Sequence, residues 1–151
     1  MDEKFNKFYN LYKDEIFSYA YRILENYDDA MDVVQEVFYR LYKNLNKLEE
    51  NKVKNWLFKV CHNLIIDIFR KQKKIYDIDE FYESIEAREK FDIEEFLKIL
   101  PPNYREVIIL KYVYNYQYSE ISQILEINEN TIKTWIRRAK EILIRYYKGE
   151  A

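Results

Sequence analysis

Apolar residues recur at intervals of three and four along nearly the whole chain, which is the spacing that places them on one face of an α-helix. In the first half this pattern predicts three helices. The first carries Phe5, Phe8, Tyr12, Ile16, Tyr19 and Ile23. The second, capped by Asp28 or Asp29, carries Ala30, Val34, Val37, Leu41 and Leu45. After a polar break from Asn46 to Lys52, the third carries Trp56, Val60, Leu64 and Ile68, with Leu57, Cys61 and Ile65 beside them.

The second half has shorter helical patterns. A short helix with Phe91, Phe96 and Leu100 is expected to stop at the adjacent Pro101 and Pro102. Three patterns follow, over Tyr104 to Tyr114, Tyr118 to Leu125 and Glu129 to about Tyr147. Between the two halves, residues 77–92 are mainly acidic. Loops of that length are uncommon inside compact domains, so we interpret this segment as a linker; the alternative is a solvated helix face within one continuous domain.

Composition narrows the fold class. The 151 residues include one glycine, Gly149, and two prolines. Sheets, hairpins and phosphate-cradling loops need glycine-type turns, which argues against sandwiches, barrels and nucleotide-binding α/β folds. The sequence therefore predicts an all-α protein of two small helical domains, 1–75 and 93–151, joined by an acidic linker, 76–92.

Charge and cysteine content exclude several classes of site. The net charge is −2, and there is neither an apolar stretch of about 18 residues to insert in a membrane nor an N-terminal signal segment. Cys61, the single cysteine, cannot form an internal disulfide, which fits a reducing, cytoplasmic location. Cys61 and His62 lack further Cys or His partners for zinc, so we favour a buried structural cysteine. We expect no metal and no cofactor.

The strongest local signal lies near the C-terminus. A two-turn helix from Tyr118 to Leu125, a tight connection from Glu126 to Asn128 and a longer basic helix predict a helix-turn-helix. Asn128 is placed to cap the second helix. Side chains that can reach base edges and phosphates in a major groove are Thr131, Thr134, Trp135 and Arg138, flanked by Lys133 and Arg137. The alternative is an ordinary helical hairpin with a solvated basic face.

Two other charged clusters are weaker signals. Cations interleaved with Trp56, Phe58 and Phe69 suit single-stranded or melted nucleic acid; they are Lys52, Lys54, Lys59, Arg70, Lys71, Lys73 and Lys74. The second helix groups Asp28, Asp29, Asp32, Gln35 and Glu36. Paired carboxylates can serve acid–base catalysis, but no nucleophile or oxyanion donor accompanies them. A solvated face and a docking face for a basic partner are the alternatives, and we do not expect an enzyme.

Three segments together resemble a known family. Residues 29–41 (DAMDVVQEVFYRL) resemble the region 2 helix of sigma factors, and Trp56-Leu57 with Asn63, Asp67 and Arg70 resembles the pattern that follows it. Residues 100–110 (LPPNYREVIIL), followed by 118–143, resemble region 4 with its helix-turn-helix. In order and spacing, nearly the whole chain resembles the extracytoplasmic-function (ECF) group of sigma-70 type bacterial RNA polymerase sigma factors.

The resemblance implies roles at matched positions. Docking on the clamp coiled coil of the largest polymerase subunit would involve Asp32, Gln35, Glu36, Tyr39 and Arg40. The minus-ten promoter element would be engaged by the loop from Lys43 to Lys52 and by Asn63, Asp67, Arg70 and Lys71, with Lys73 and Lys74 on the DNA backbone. The minus-thirty-five element would be read by Asn130, Thr131, Lys133, Thr134, Trp135, Arg137 and Arg138. The linker would thread toward the active-centre channel, and an anti-sigma factor is a partner that the family often has.

The chain also departs from the family pattern. Glu126 stands where the turn usually carries glycine, and a positive φ would cost it about 1 kcal/mol, which favours a reshaped turn. Trp135 replaces a smaller or basic residue. The main hypothesis is a non-enzymatic initiation subunit that binds core polymerase and promoter DNA. The alternative is an autonomous helix-turn-helix regulator that binds operators as a homodimer, although stand-alone binders usually carry a basic surplus.

Overall fold

The computed structural model describes residues 2–72 and 93–147, and every regular element in these two ranges is helical. The first range contains α1 (Asp2–Leu24), α2 (Tyr27–Asn44) and α3 (Val53–Gln72). The second contains α4 (Ile93–Ile99), α5 (Pro102–Ile108), α6 (Tyr118–Leu125) and α7 (Glu129–Tyr147). Short 3₁₀ turns at Leu45–Lys47 and Glu50–Lys52 lie between α2 and α3, and a π-helical turn, Ile109–Val113, continues α5. The predicted all-α fold is confirmed.

The described residues fall into two compact units. The helices α1 and α2, with α3 as far as Ile68, make up the body of the first unit, and the residues from α4 onward make up most of the second. The acidic segment 77–92, Lys73 and Lys74 lie outside the described residues, so the predicted boundaries at 75/76 and 92/93 stay predictions. Of the described helices, none combines the length and the apolar character that a membrane crossing requires.

The core of the first unit follows the apolar pattern closely in α2 and less closely in α3. All five predicted positions of the second helix, from Ala30 to Leu45, are buried. In α3 the buried side is Leu57, Phe58, Cys61, Ile65 and Phe69. The stripe through Trp56, Val60, Leu64 and Ile68 is only half-buried. Phe58 packs edge-on against buried Tyr19 of α1, with 5.2 Å between ring centroids, so the core face is the one beside the predicted stripe.

The expected cap of α2 was wrong. Asn26 is the N-cap, and its side-chain oxygen accepts a hydrogen bond from the backbone N–H of Asp29 at 2.9 Å. Asp28 and Asp29 instead lie inside the first turn, where carboxylates interact favourably with the helix dipole. The chain enters α2 through Glu25, which has a φ of 56° and donates its backbone N–H to Tyr21.

The second unit is built around the packing of α5 on α7. Its buried apolar residues include Tyr104, Val107, Ile121, Ile132, Ile136 and Ala139. The helix-turn-helix buries the helically spaced Ile121, Leu125, Ile132 and Ile136, while Ile127 of the connection is half-buried. Pro102 occupies the first turn of α5, where its missing N–H would have had no partner within the helix. The helix predicted over Tyr104 to Tyr114 is thus two structures, an α-helix and a π-turn.

A buried charge joins α4 to α5. Arg105 is 5% exposed, and its Nε donates to the carbonyl of Leu97 at 2.6 Å. Its Nη2 donates to the carbonyls of Lys98 and Leu100, both at 3.0 Å. The last carbonyls of a helix have no partner within the helix, and the planar guanidinium can serve several at once. Arg105 therefore caps the C-terminus of α4 from the following helix.

We expect Arg105→Ala to lower the free energy of unfolding by roughly 3 kcal/mol or more, because it removes three charge-assisted hydrogen bonds to the carbonyls at the end of α4. Arg105→Lys should recover only part of the lost stability, because an ammonium group lacks the planar set of donors of a guanidinium. Arg145→Ala, an exposed arginine in α7, is the control and should change stability by about 0.5 kcal/mol at most. Urea unfolding followed by circular dichroism measures all three, and equal midpoints for Arg105→Ala and Arg145→Ala would contradict the assignment.

Candidate functional site

The helix-turn-helix is fixed by Ser122 of α6. Its Oγ donates to the carbonyl of Ile127 at 2.5 Å, and its own carbonyl accepts the N–H of Ile127 at 3.2 Å. Ser122 thus holds the connection in place with two bonds, one from its side chain to the carbonyl of Ile127 and one from the N–H of Ile127 to its own backbone carbonyl. Asn128 caps α7 as predicted, since its side-chain oxygen accepts the N–H of Asn130 at 2.8 Å. At the start of α6, Glu120 accepts the backbone N–H of Gln117 at 3.0 Å.

The turn keeps a left-handed residue at Glu126. This residue has φ 56° and ψ 46°, in the region where a side chain with a Cβ is disfavoured. The expectation of a reshaped turn was therefore wrong. The bonds between Ser122 and Ile127 span the position and hold its conformation despite the missing glycine.

The outer face of α7 carries most of the predicted DNA-reading residues. Asn130, Lys133, Arg137 and Arg138 are exposed, and Thr131, Thr134 and Trp135 are half-buried. At 100° per residue, Asn130 and Thr134 lie opposite the buried side, and the Thr134 hydroxyl donates to the carbonyl of Asn130 at 3.0 Å. Arg137 and Arg138 lie on either side of this midline. Arg137 pairs with Glu141 at 3.1 Å on the exposed surface.

One edge of α7 is packed against α5. The ring of Trp135 lies 6.0 Å from that of Tyr104, centroid to centroid. Arg138 Nη1 donates to the Tyr104 hydroxyl at 3.4 Å. Tyr104 is only 1% exposed, so it is a fixed neighbour for both side chains. Trp135 and Arg138 therefore lie at the border of the outer face rather than at its centre.

The opposite edge of α7 holds residues that the sequence did not single out. Lys111 and Tyr112 of the π-turn, Tyr118 of α6 and Lys140 of α7 make cation–π contacts along this edge. The seven-residue spacing of Lys133 and Lys140 places them on one side of the helix. This spacing was the only feature of the sequence that could have indicated the edge. Their aromatic partners could not be identified without the tertiary structure.

The predicted minus-ten residues share one side of α3. Asn63, Asp67, Arg70 and Lys71 are all exposed, and the first three follow the four- and three-residue spacing of helix neighbours. The loop from Lys43 to Lys52 consists largely of the two 3₁₀ turns, where Glu49 and Lys52 pair at 3.5 Å. His62, buried at 7% exposure, is not on this face.

The predicted docking residues form a second exposed stripe, on α2. Asp32, Gln35, Tyr39 and Arg40 are exposed and Glu36 is half-buried. Arg40 Nε donates to Glu36 Oε1 at 2.9 Å, so these two charges offset each other. Asp32 and Gln35 make no hydrogen bond or ion pair with any described residue. Across residues 2–72 and 93–147, no three Cys, His or acidic side chains are placed to hold a metal ion.

Both halves of the chain are similar to known proteins. Residues 8–75 match the family model of sigma-70 region 2, and residues 90–143 match that of sigma-70 region 4. The chain is 33% identical to the ECF RNA polymerase sigma factor SigW of Bacillus subtilis (strain 168), over 89% of this chain and 83% of SigW. It is 30% identical to the ECF RNA polymerase sigma factor SigM of the same organism, over 94% of both chains.

Two solved structures have a similar fold. One is the sigma factor RpoE in complex with the anti-sigma factor NepR from Bartonella quintana, with a TM-score of 0.76, 22% identity and 99% coverage of both chains. The other is CnrH in complex with the cytosolic domain of CnrY, with a TM-score of 0.74, 19% identity and coverage of 100% of this chain and 92% of CnrH.

Two matched regions, the second with a helix-turn-helix, define a DNA-binding transcription protein. The chain belongs to the ECF group of the sigma-70 family of RNA polymerase sigma factors. It is an RNA polymerase sigma factor, and its activity is to direct transcription initiation.

We expect Glu126→Gly to raise the free energy of unfolding by about 0.5–1 kcal/mol. Removing the Cβ relieves a left-handed conformation that costs about 1–2 kcal/mol, partly offset by the greater chain entropy of glycine. The same change at Glu129, which is helical and exposed, should lower stability instead. Urea unfolding of the two variants checks the sign, and destabilisation by both would contradict the role of the left-handed turn.

Proposed function

We propose that this sigma factor is a non-enzymatic subunit that docks on core polymerase through α2 and contacts two promoter elements through α3 and α7. The observation that supports this most directly is the helix-turn-helix, in which Asn130, Lys133 and Arg137 are exposed on a capped helix. The same chain presents a second exposed polar stripe, on α2. We further propose the domain limits 1–75, 76–92 and 93–151, and action in the cytoplasm.

Core polymerase is the proposed partner of the α2 stripe, through the clamp coiled coil of its largest subunit. Glu36 and Arg40 already pair with each other, so the negative charge open to a basic partner is that of Asp32. Gln35 adds an amide that can donate and accept hydrogen bonds. Tyr39, 57% exposed, adds the amphipathic ring that is enriched at protein interfaces.

The minus-ten element is the proposed ligand of α3. The amide of Asn63 can donate to and accept from base edges, while Arg70 and Lys71 supply charge for the phosphates. Half-buried Trp56 and Lys59 continue the same side of the helix, which suits stacking with a melted strand. Lys73 and Lys74 would extend the basic end.

The minus-thirty-five element is the proposed ligand of α7. Asn130 and Thr134 on the midline, together with Thr131, would approach base edges from the N-terminal part of the helix, as helix-turn-helix proteins do. Arg138 is held at the border by the hydroxyl of buried Tyr104, which limits its freedom before binding. The Arg137–Glu141 pair is exposed, and such pairs are weak, so Arg137 can exchange its partner for DNA.

An anti-sigma factor is a further proposed partner. The solved RpoE structure contains the anti-sigma factor NepR, and the solved CnrH structure contains the cytosolic domain of CnrY. In this chain, exposed aromatic side chains on α1 and α2 would give such a protein a contact surface; Tyr9, Tyr39 and Tyr42 are examples.

We expect the double variant Asp32→Ala, Gln35→Ala to bind core polymerase about tenfold more weakly, a loss typical of central interface residues. Its matched control is Asn10→Ala, Asp14→Ala, which removes the same groups from exposed positions on α1. A pull-down titration with core polymerase, paired with promoter-dependent transcription, measures both. If the two double variants bind core polymerase with equal affinity, the docking site is contradicted. If the free protein binds promoter duplex with nanomolar affinity, the autonomous regulator is favoured instead.

We expect Arg138→Ala and Lys133→Ala to differ in kind. Loss of a base contact by Arg138 should cost about 1–3 kcal/mol and relax preference at one position, whereas loss of a phosphate contact by Lys133 should weaken all sequences alike. Transcription from promoters with randomised minus-thirty-five elements separates the two effects.

Circular dichroism confirms that both variants are folded, and Arg145→Ala, at the far end of α7, serves as the control. If both folded variants keep the activity and sequence preference of the original protein, α7 does not recognise the minus-thirty-five element.

A further inference from the structure

We propose that Lys111, Lys133 and Lys140 form a lysine row that holds phosphates of one DNA strand beside the groove entered by α7. The proposal rests on the proposed function of α7 at the minus-thirty-five element. It adds two lysines from outside the predicted reading face, one of them outside the helix-turn-helix altogether. Two tyrosine rings, those of Tyr118 and Tyr112, position the row.

The geometry starts at Tyr118, the first residue of α6. Lys111 Nζ lies 4.5 Å from the centre of its ring, and Lys133 Nζ lies 5.5 Å from the same centre. Further along, Lys140 Nζ lies 5.0 Å from the centre of the Tyr112 ring. The π-turn and α7 therefore bring three ammonium groups to one edge of the recognition helix, and α6 contributes the Tyr118 ring between them.

The charge of this edge is not neutralised within the described residues. None of the three lysines makes an ion pair with residues 2–72 or 93–147. A ring attracts an ammonium group without using up its three hydrogen-bond donors. Two ammonium groups near one ring repel each other, and a phosphate close to either of them would offset that repulsion. The arrangement thus fits a phosphate better than it fits an internal contact.

The π-turn explains how Lys111 and Tyr112 reach this edge. The N–H of Tyr114 donates to the carbonyl of Ile109, five residues back, at 3.1 Å. The extra residue in the turn changes the direction of the side chains that follow α5, and Tyr112 is left 48% exposed. Turns of this kind occur frequently at functional sites. Here the turn brings a lysine and a tyrosine beside α7.

The spacing of the row suits duplex DNA. Lys133 and Lys140 are two helical turns apart, a rise of about 10 Å. Consecutive phosphates of one B-DNA strand are separated by more than the axial rise of about 3.4 Å, so a row of this length can reach more than one phosphate of a strand. Because α7 itself would enter the groove, the row would contact the strand that borders it.

The test uses the full sigma factor assembled with core polymerase on a promoter. Each phosphate across the minus-thirty-five element and its flanks is replaced in turn by a neutral methylphosphonate, and promoter affinity is measured for each duplex. With the original protein, replacement of a contacted phosphate should weaken binding. With Lys111→Ala that sensitivity should disappear at one phosphate, and the slope of log affinity against log salt should fall by about 0.9.

The controls separate DNA contact from folding. Lys98→Ala removes an exposed lysine of α4 in the same unit and should leave both the phosphate profile and the salt slope unchanged. Tyr118→Phe keeps the aromatic ring and should retain the sensitivity to phosphate replacement. Tyr118→Leu removes the ring and should reduce that sensitivity. Lys111→Arg keeps the charge and should restore binding, and circular dichroism confirms that each variant is folded.

Two results would overturn the lysine row. One is that the Lys111→Ala variant has the same phosphate profile as the Lys98→Ala control. The other is weaker binding of Lys111→Ala with every phosphate sensitivity intact, which would mean that the lysine contacts protein. If base changes in the minus-thirty-five element have no effect even with the original protein, the proposed function of α7 fails instead, so the two failures are distinguishable.

Discussion

The guanidinium of Arg105 is the contact on which the second unit depends. Its nitrogens donate to the carbonyls of Leu97, Lys98 and Leu100 at the end of α4, and these bonds fix the position of α5 relative to α4. The preceding residue in α5 is Tyr104, whose buried ring and hydroxyl contact Trp135 and Arg138 of α7. The position of the recognition helix is therefore linked, through one residue of α5, to a charge that is buried inside the unit.

The scarcity of glycine shapes the connections between helices. Within the described residues a positive φ is taken by Glu25, Asn115 and Glu126; asparagine tolerates this region, whereas the Cβ of a glutamate disfavours it. Each is the residue at or near a helix end, where surrounding hydrogen bonds fix the chain; for Glu126 these are the bonds of Ser122 to Ile127. The turn of the helix-turn-helix is thus determined by its neighbours and not by the flexibility of its own residue.

Much of the fold followed from periodicity, and the exceptions have physical causes. The predicted apolar stripe of α2 was correct because the other sides of that helix are clearly polar. In α3 apolar residues occur on several sides, and the buried face lies beside the predicted stripe, at Leu57 and Cys61. Periodicity could not separate the π-turn at Ile109–Val113 from α5, since both keep apolar residues at helical spacing. Arg105 was missed because a lone arginine in an apolar run gives no sign of which carbonyls it will meet. The predicted DNA-reading positions lie on or at the border of the exposed side of α7, but what they contact stays a prediction.

Tyrosine has a specific use around the recognition helix. On one edge, Tyr104 holds the guanidinium of Arg138; on the other, Tyr118 and Tyr112 hold the ammonium groups of Lys133 and Lys140. Long cationic side chains lose considerable conformational entropy when they bind, and rigid rings remove part of that loss before DNA arrives. In a chain whose net charge is −2, non-specific attraction to DNA is weak. In the proposed promoter complex, affinity would therefore come from a few well-positioned cations, and the aromatic neighbours of α7 would supply that positioning.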